Sequence, residues 1–121
     1  MTLRIQVVDE RVWTIGARGR IDLPAARAIE DAIAELCDAG NARVVVDLGQ
    51  AVYMASAGLA ALLTGVRRAR LLKGDVRLAA MNERVREVFE MSGFDQVFTI
   101  YPSLAEAVAS FGAGSGPPAS P

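Results

Sequence analysis

Histidine is absent from this 121-residue chain, and cysteine occurs once, at Cys37. The first absence removes most metal sites, the commonest general base and any Ser-His-Asp triad. The second excludes an internal disulfide and a cysteine-cluster zinc site. Charge of one sign is also missing: thirteen Lys+Arg stand against fourteen Asp+Glu, for a net charge of −1. A nucleic-acid binder needs concentrated positive charge, so none is expected as a partner. The first ten residues are broken by charges and contain no apolar signal-peptide core. One long uncharged run exists, nineteen residues from Leu48 to Val66. It approaches the roughly 20 residues of a membrane span. Because it holds Gly49, Gln50, Ser56, Gly58, Thr64 and Gly65, it fits a buried loop followed by a buried helix better. These exclusions point to a cytoplasmic, non-enzymatic module with no metal, no cofactor, no small-molecule substrate and no membrane insertion.

What is present is a core. Apolar residues make up 52% of the chain, and a domain of this length buries roughly 65% of its unfolded surface. Leu3 to Val8 and Val12 to Ala17 read as an antiparallel strand pair separated by Asp9-Glu10-Arg11, with Gly19 breaking the pattern. Asp22-Leu23-Pro24 starts a helix to about Cys37, whose Ala26, Ile29, Ile33, Leu36 and Cys37 step by three or four. Arg43 to Leu48 contains an uninterrupted valine triplet, the pattern of a central strand. A loop from Gly49 to Ala55 leads to a helix near Ser56, with Leu59, Leu62, Leu63 and Val66 on one face. Val76 to Ala80 is a strand, Asn82 to Met91 a helix with Val85, Val88 and Phe89 inward, and Val97 to Tyr101 a strand. Pro102-Ser103 opens a last helix with Leu104, Val108 and Phe111 facing in. This order predicts a single α/β domain over 1–111. Its sheet is mixed and mostly parallel, of about five strands, with four helices mainly on one face. The tail, 112–121, contains only Gly, Ala, Ser and Pro and is expected to be disordered.

The informative segment runs from Asp47 to Leu59. It delivers a strand end, a loop and a serine in the first turn of a buried helix. Unpaired N–H groups and a partial positive charge at that end suit a phosphate. Ala55, Ala57 and Gly58 leave the Ser56 hydroxyl uncovered. Two readings are open for Ser56: the N-cap of its helix, or a modified residue on a docking face.

The segment resembles the STAS-domain family, in particular the bacterial anti-sigma factor antagonists. Asp47-Leu48 match the family's strand end, and Ser56, Gly58 and Leu59 its helix start. Gly19-Arg20-Ile21-Asp22, Val88 to Phe94 and Tyr101 to Ala107 are similar to further family segments in the same order. The resemblance spans about residues 3–111. It implies a STAS fold and a regulator of transcription in the stress response that works by partner switching. Such a protein binds an anti-sigma factor that is itself an ATP-dependent serine kinase, and so frees the sigma factor. The kinase phosphorylates the serine matched by Ser56, the complex dissociates, and a serine phosphatase reverses the mark. The implied contact surface is Asp22, Tyr53, Met54, Ala55, Ser56, Ala57 and Gly58; the catalytic groups and Mg²⁺ belong to the kinase.

The chain departs from the family at three places. Ala55 stands for an aspartate, Ala57 for a second Ser/Thr, and Arg20 for an acidic residue. The alternative function is a STAS subunit of an ABC-type lipid-transport complex, a structural partner without a phospho-switch, to which Ser56 to Leu63 would also suit. Asp22 has a second role available as the cap of the first helix. Tyr53 and Met54 are either interface anchors or packing beneath the loop. Arg67, Arg68, Arg70 and Lys73 complement a helix C-terminus or meet an acidic partner. Cys37 and Trp13 read as core.

Overall fold

Val44, Val45 and Val46 set the middle of the sheet, because β-branched side chains fit an extended segment covered on both faces. In the computed structural model, which describes residues 2–8 and 11–112, all three are fully buried. They belong to β3 (Arg43–Met54). The five strands lie side by side in chain order, β1 (Thr2–Val8), β2 (Val12–Ile21), β3, β4 (Asp75–Ala79) and β5 (Ile100–Tyr101). β1 is antiparallel to β2 and the other pairs are parallel. The helices are α1 (Leu23–Asp38), α2 (Ser56–Leu71), α3 (Glu83–Ser92) and α4 (Leu104–Ala109), with a 3₁₀ turn at Phe94–Gln96. Asp9, Glu10 and the tail beyond Gly112 lie outside the described residues.

Strand alternation divides the core in two. Ile15, Val44, Val46, Val76 and Leu78 turn to the side where Ile29 and Ile33 of α1, Leu62 and Val66 of α2, and Val85 and Phe89 of α3 pack. Val12, Val45 and Ala79 turn the other way, onto Ala107 and Phe111. Three helices therefore share one face, and α4 sits on the opposite face. That placement is secured by a polar clamp. Arg77, 1% exposed, donates from Nε to Asp75 Oδ2 at 3.1 Å and from Nη1 to Ser110 Oγ at 2.7 Å. Its guanidinium also lies 3.9 Å from the centroid of the Phe111 ring. Arg70 reaches the same carboxylate, Nε to Asp75 Oδ1 at 2.9 Å, so the buried acid is paired twice.

Four local expectations are corrected. Gly19 does not end β2: it adopts φ +86° within the strand, beside register irregularities, and pairing continues to Ile21. Gly49 to Ala55 is not a loop, since β3 runs to Met54 against the extended end of β2. Parallel pairing supplied ladder bonds that the segment's low alternation concealed. The uncharged run Leu48 to Val66 is thus divided between β3 and α2, and among the described residues no helix is long and apolar enough to cross a membrane. The last strand shrinks to Ile100–Tyr101, because residues from Phe94 coil into the 3₁₀ turn. The fourth correction concerns the cap of α2.

Candidate functional site

The site is built where β2 and β3 end together. The last register pair is Ile21 with Met54, and the Ala55 N–H then donates to the Ile21 carbonyl at 3.0 Å. Asp22 and Ser56, thirty-four positions apart in sequence, are thereby carried to neighbouring helix starts. The C-terminal ends of parallel strands are where open α/β sheets present their functional groups.

Each junction is closed differently. Asp22 is the N-cap of α1, its Oδ1 accepting the Ala25 N–H at 3.3 Å, with proline in the first turn. At α2 the cap is Ala55, which has no side chain to offer. Ser56 is therefore the first helical residue rather than the N-cap. Its hydroxyl makes no capping bond and its side chain is exposed. With no acidic residue in the first turn either, the N-terminus of this sixteen-residue helix keeps its partial positive charge uncompensated. Gly58 explains why the serine can sit so close to the sheet. A Cβ there would lie 2.9 Å from Ile21 Cγ2 and clash with Met54 Sδ.

The residues named from sequence separate by exposure. Ser56 and Tyr53 are exposed, Asp22, Ala55 and Ala57 half-buried, and Met54 and Gly58 buried. The Met54 side chain, 3% exposed, is part of the main core and forms the floor beneath the surface residues. The next junction along the sheet is tied in by Asn82, which caps α3 and donates from Nδ2 to the Ala51 carbonyl at 3.1 Å. Sequence reasoning did not single out Val52 and Leu23, which are more than half exposed beside these residues. It also did not find the stacking of Arg20 over Tyr53, with Cζ 4.3 Å from the ring centroid. The register pair Arg20–Tyr53 is the signal, and it is hidden once Tyr53 is read as loop. Elsewhere, Arg68 and Arg70 bond to Asp38 and Asp75, and Cys37 is buried in the core.

A family model described as the STAS domain matches residues 5–107. A Bordetella bronchiseptica protein that carries the name anti-sigma factor antagonist BtrV is 37% identical over 94 residues, covering 78% of this chain and 81% of the relative. Among solved structures, the anti-sigma factor antagonist SpoIIAA in its unphosphorylated form superposes with a TM-score of 0.72 at 17% identity, over 90% of this chain and 96% of that one. The phosphorylated form of SpoIIAA, from Bacillus, gives 0.73 at 20% identity, over 90% and 98%. A sulfate transporter family protein from Wolinella succinogenes gives 0.76 at 13% identity, over 87% and 88%. At these identities superposition establishes the shared fold alone, and that fold serves proteins of both kinds.

Proposed function

This chain belongs to the STAS-domain family, and on that premise we propose that it is an anti-sigma factor antagonist whose docking face is switched by phosphorylation of Ser56. One observation carries the reading: the Ser56 hydroxyl is exposed and caps nothing, at the start of a helix whose own N-terminus is uncompensated. A serine retained there for folding would be expected to accept a backbone N–H, as Ser103 does from Glu106 at 3.1 Å. The phosphorylated form of SpoIIAA supports the chemistry, since that protein carries the modification within the same fold. The closer relative's name supports the antagonist role.

In the proposed cycle the partner is a serine-kinase anti-sigma factor in the cytoplasm, bound through Asp22, Tyr53, Ala55, Ser56 and Ala57 over the Met54–Gly58 floor. Ser56 Oγ attacks the γ-phosphorus of ATP held by the kinase. The new O–P bond forms as the bond to the β-phosphate oxygen breaks, ADP leaves, and the hydroxyl proton passes to a base of the kinase. This chain supplies the acceptor and no catalytic group. The phosphate brings about −1.5 to −2 charges into the contact, adding desolvation and like-charge penalties. Each 1.4 kcal/mol of penalty weakens binding about tenfold. A serine phosphatase then restores the hydroxyl.

The test is affinity capture from host lysate with wild type and Ser56→Asp as baits. A serine-kinase anti-sigma factor retained by the wild type and lost on the variant is the expected result. Equal retention by both removes the switch. A transporter ATPase on both baits replaces the antagonist reading with a transport-complex subunit.

A further inference from the structure

α4 covers only part of its side of the sheet. It reaches Val12 at the start of β2, and beyond that contact, between β1, β2 and Leu104, lies a groove of about 390 Å³. Its rim carries Arg4 and Arg18, its floor is Gly16 and its far wall is Leu104 of α4. Ile21 and Met54 point into the main core, so their strand neighbours Arg20 and Tyr53 alternate to the groove side. The pair Arg18–Gln50 in the groove leads directly along the register to Arg20–Tyr53. Arg4, Arg18 and Arg20 are all exposed and form no ion pair among the described residues. The groove's one acid, Asp47, accepts the Gly49 N–H at 2.9 Å, and Glu106 on nearby α4 is engaged by Ser103 Oγ at 3.0 Å.

A merely solvated sheet face has no need of one sign of charge. Here three arginines with no ion pair among the described residues outnumber the one carboxylate that lines the groove, Asp47, on a chain whose net charge is −1. We propose that this groove is a second docking surface, occupied by an extended acidic segment of the protein partner that meets Ser56. The inference rests on the docking role proposed above and adds the chemistry of the partner. Arg18 and Arg20 lie two residues apart on β2, on either side of the irregularity at Gly19, and both are exposed. The glycine floor lets such a peptide lie near the strands. Stacking on Tyr53 pre-orders the Arg20 guanidinium, whose planar fork suits a carboxylate. The segment would run from the groove to the rim beside Ser56, making one continuous interface.

The test uses the ¹⁵N-labelled full chain titrated with a decapeptide of alternating Glu and Ser, one of alternating Lys and Ser, and inorganic phosphate. Amide shifts confined to residues 4–6, 14–20 and 50–53, with the Glu peptide alone, are expected. Arg18→Glu/Arg20→Glu should weaken that binding about tenfold or more while Arg67→Glu leaves it within about twofold. Matching shifts with phosphate make the groove a small-anion site and overturn the proposal, as do shifts at 67–73 or an indifferent double variant. The same double variant, checked for unchanged thermal unfolding, should lose the anti-sigma factor in affinity capture. Retained capture overturns the groove's role while leaving the Ser56 switch intact. Failure of the wild type to capture that partner removes the switch and leaves the peptide titration to judge the groove.

Discussion

Ala55 donates its N–H to the carbonyl of Ile21 at 3.0 Å, and through this bond the starts of α1 and α2 become one surface. The backbone ladder, rather than any contact between the side chains of Asp22 and Ser56, sets their proximity. Substitutions at either side chain should therefore alter stability or recognition without dismantling the site.

Gly58 is the exception, because its missing Cβ leaves room for Ile21 and Met54. Gly58→Ala is expected to destabilise the protein by about 1–3 kcal/mol through overpacking. Urea unfolding should show a lower midpoint at unchanged slope. An unchanged midpoint would mean that the two side chains yield freely.

Asp22 and Ser56 should respond unequally to truncation. Asp22→Ala removes the cap of α1 and should cost about 1 kcal/mol. Ser56→Ala removes no bond and should stay within about 0.5 kcal/mol of wild type. Ser56→Asp should stabilise by about 0.3–1 kcal/mol at low salt, through the uncompensated helix terminus, and lose that gain near 1 M salt. Thermal unfolding at two salt concentrations checks all three.

Arg77→Met should cost about 3 kcal/mol, since it leaves the fully buried Asp75 with Arg70 as its one charged partner and unfastens Ser110 and Phe111. Adding Asp75→Asn should recover part of the loss. Hydrogen exchange is expected to rise first in α4 for the single variant; uniform protection would contradict the clamp.

Burial pushes the Cys37 thiol above its ordinary range, Arg68 opposes that shift and Asp38 adds to it. A raised pKa in the fold means that the native state holds the proton more tightly. The resulting stability is present below the unfolded value and is lost as pH rises through the raised one. Stability should therefore fall above about pH 9 in the wild type and less so in Cys37→Ala. A thiol reagent at neutral pH should label native protein at least about tenfold more slowly than urea-unfolded protein.

Much of this was legible in the sequence because periodicity and caps agreed. Asp22, Asn82 and Ser103 sit one residue before their helices and cap them, and the buried stripe of α1 follows its three-and-four spacing. The illegible part lies where tertiary pairing overrode local signals. Gly19 looks like a terminator in isolation, yet β3 holds it in a strand. Residues 49–54 lack clean alternation because Ala51 and Met54, three apart, both turn into the core. Reading them as loop hid Tyr53's partner across the sheet and with it the Arg20 stack. Of the two readings open for Ser56, the N-cap fails for a related reason: Ala55 takes that position and, with no capping side chain, is held by Ile21 instead.

The sheet's spatial order, identical to its chain order, bears on how the molecule is made. Each strand emerging from the ribosome finds its neighbour already synthesised and exposed, and none has to be inserted between two that have paired. Assembly can thus proceed vectorially, with loop-closure costs kept to the length of one crossover at a time. α4 is synthesised last among the described elements, and only its arrival covers Val45 and Ala79. Until then the nascent domain exposes an apolar strip in the middle of a nearly finished sheet, so premature termination anywhere before Leu104 should yield a chaperone-bound, aggregation-prone fragment rather than a smaller working one.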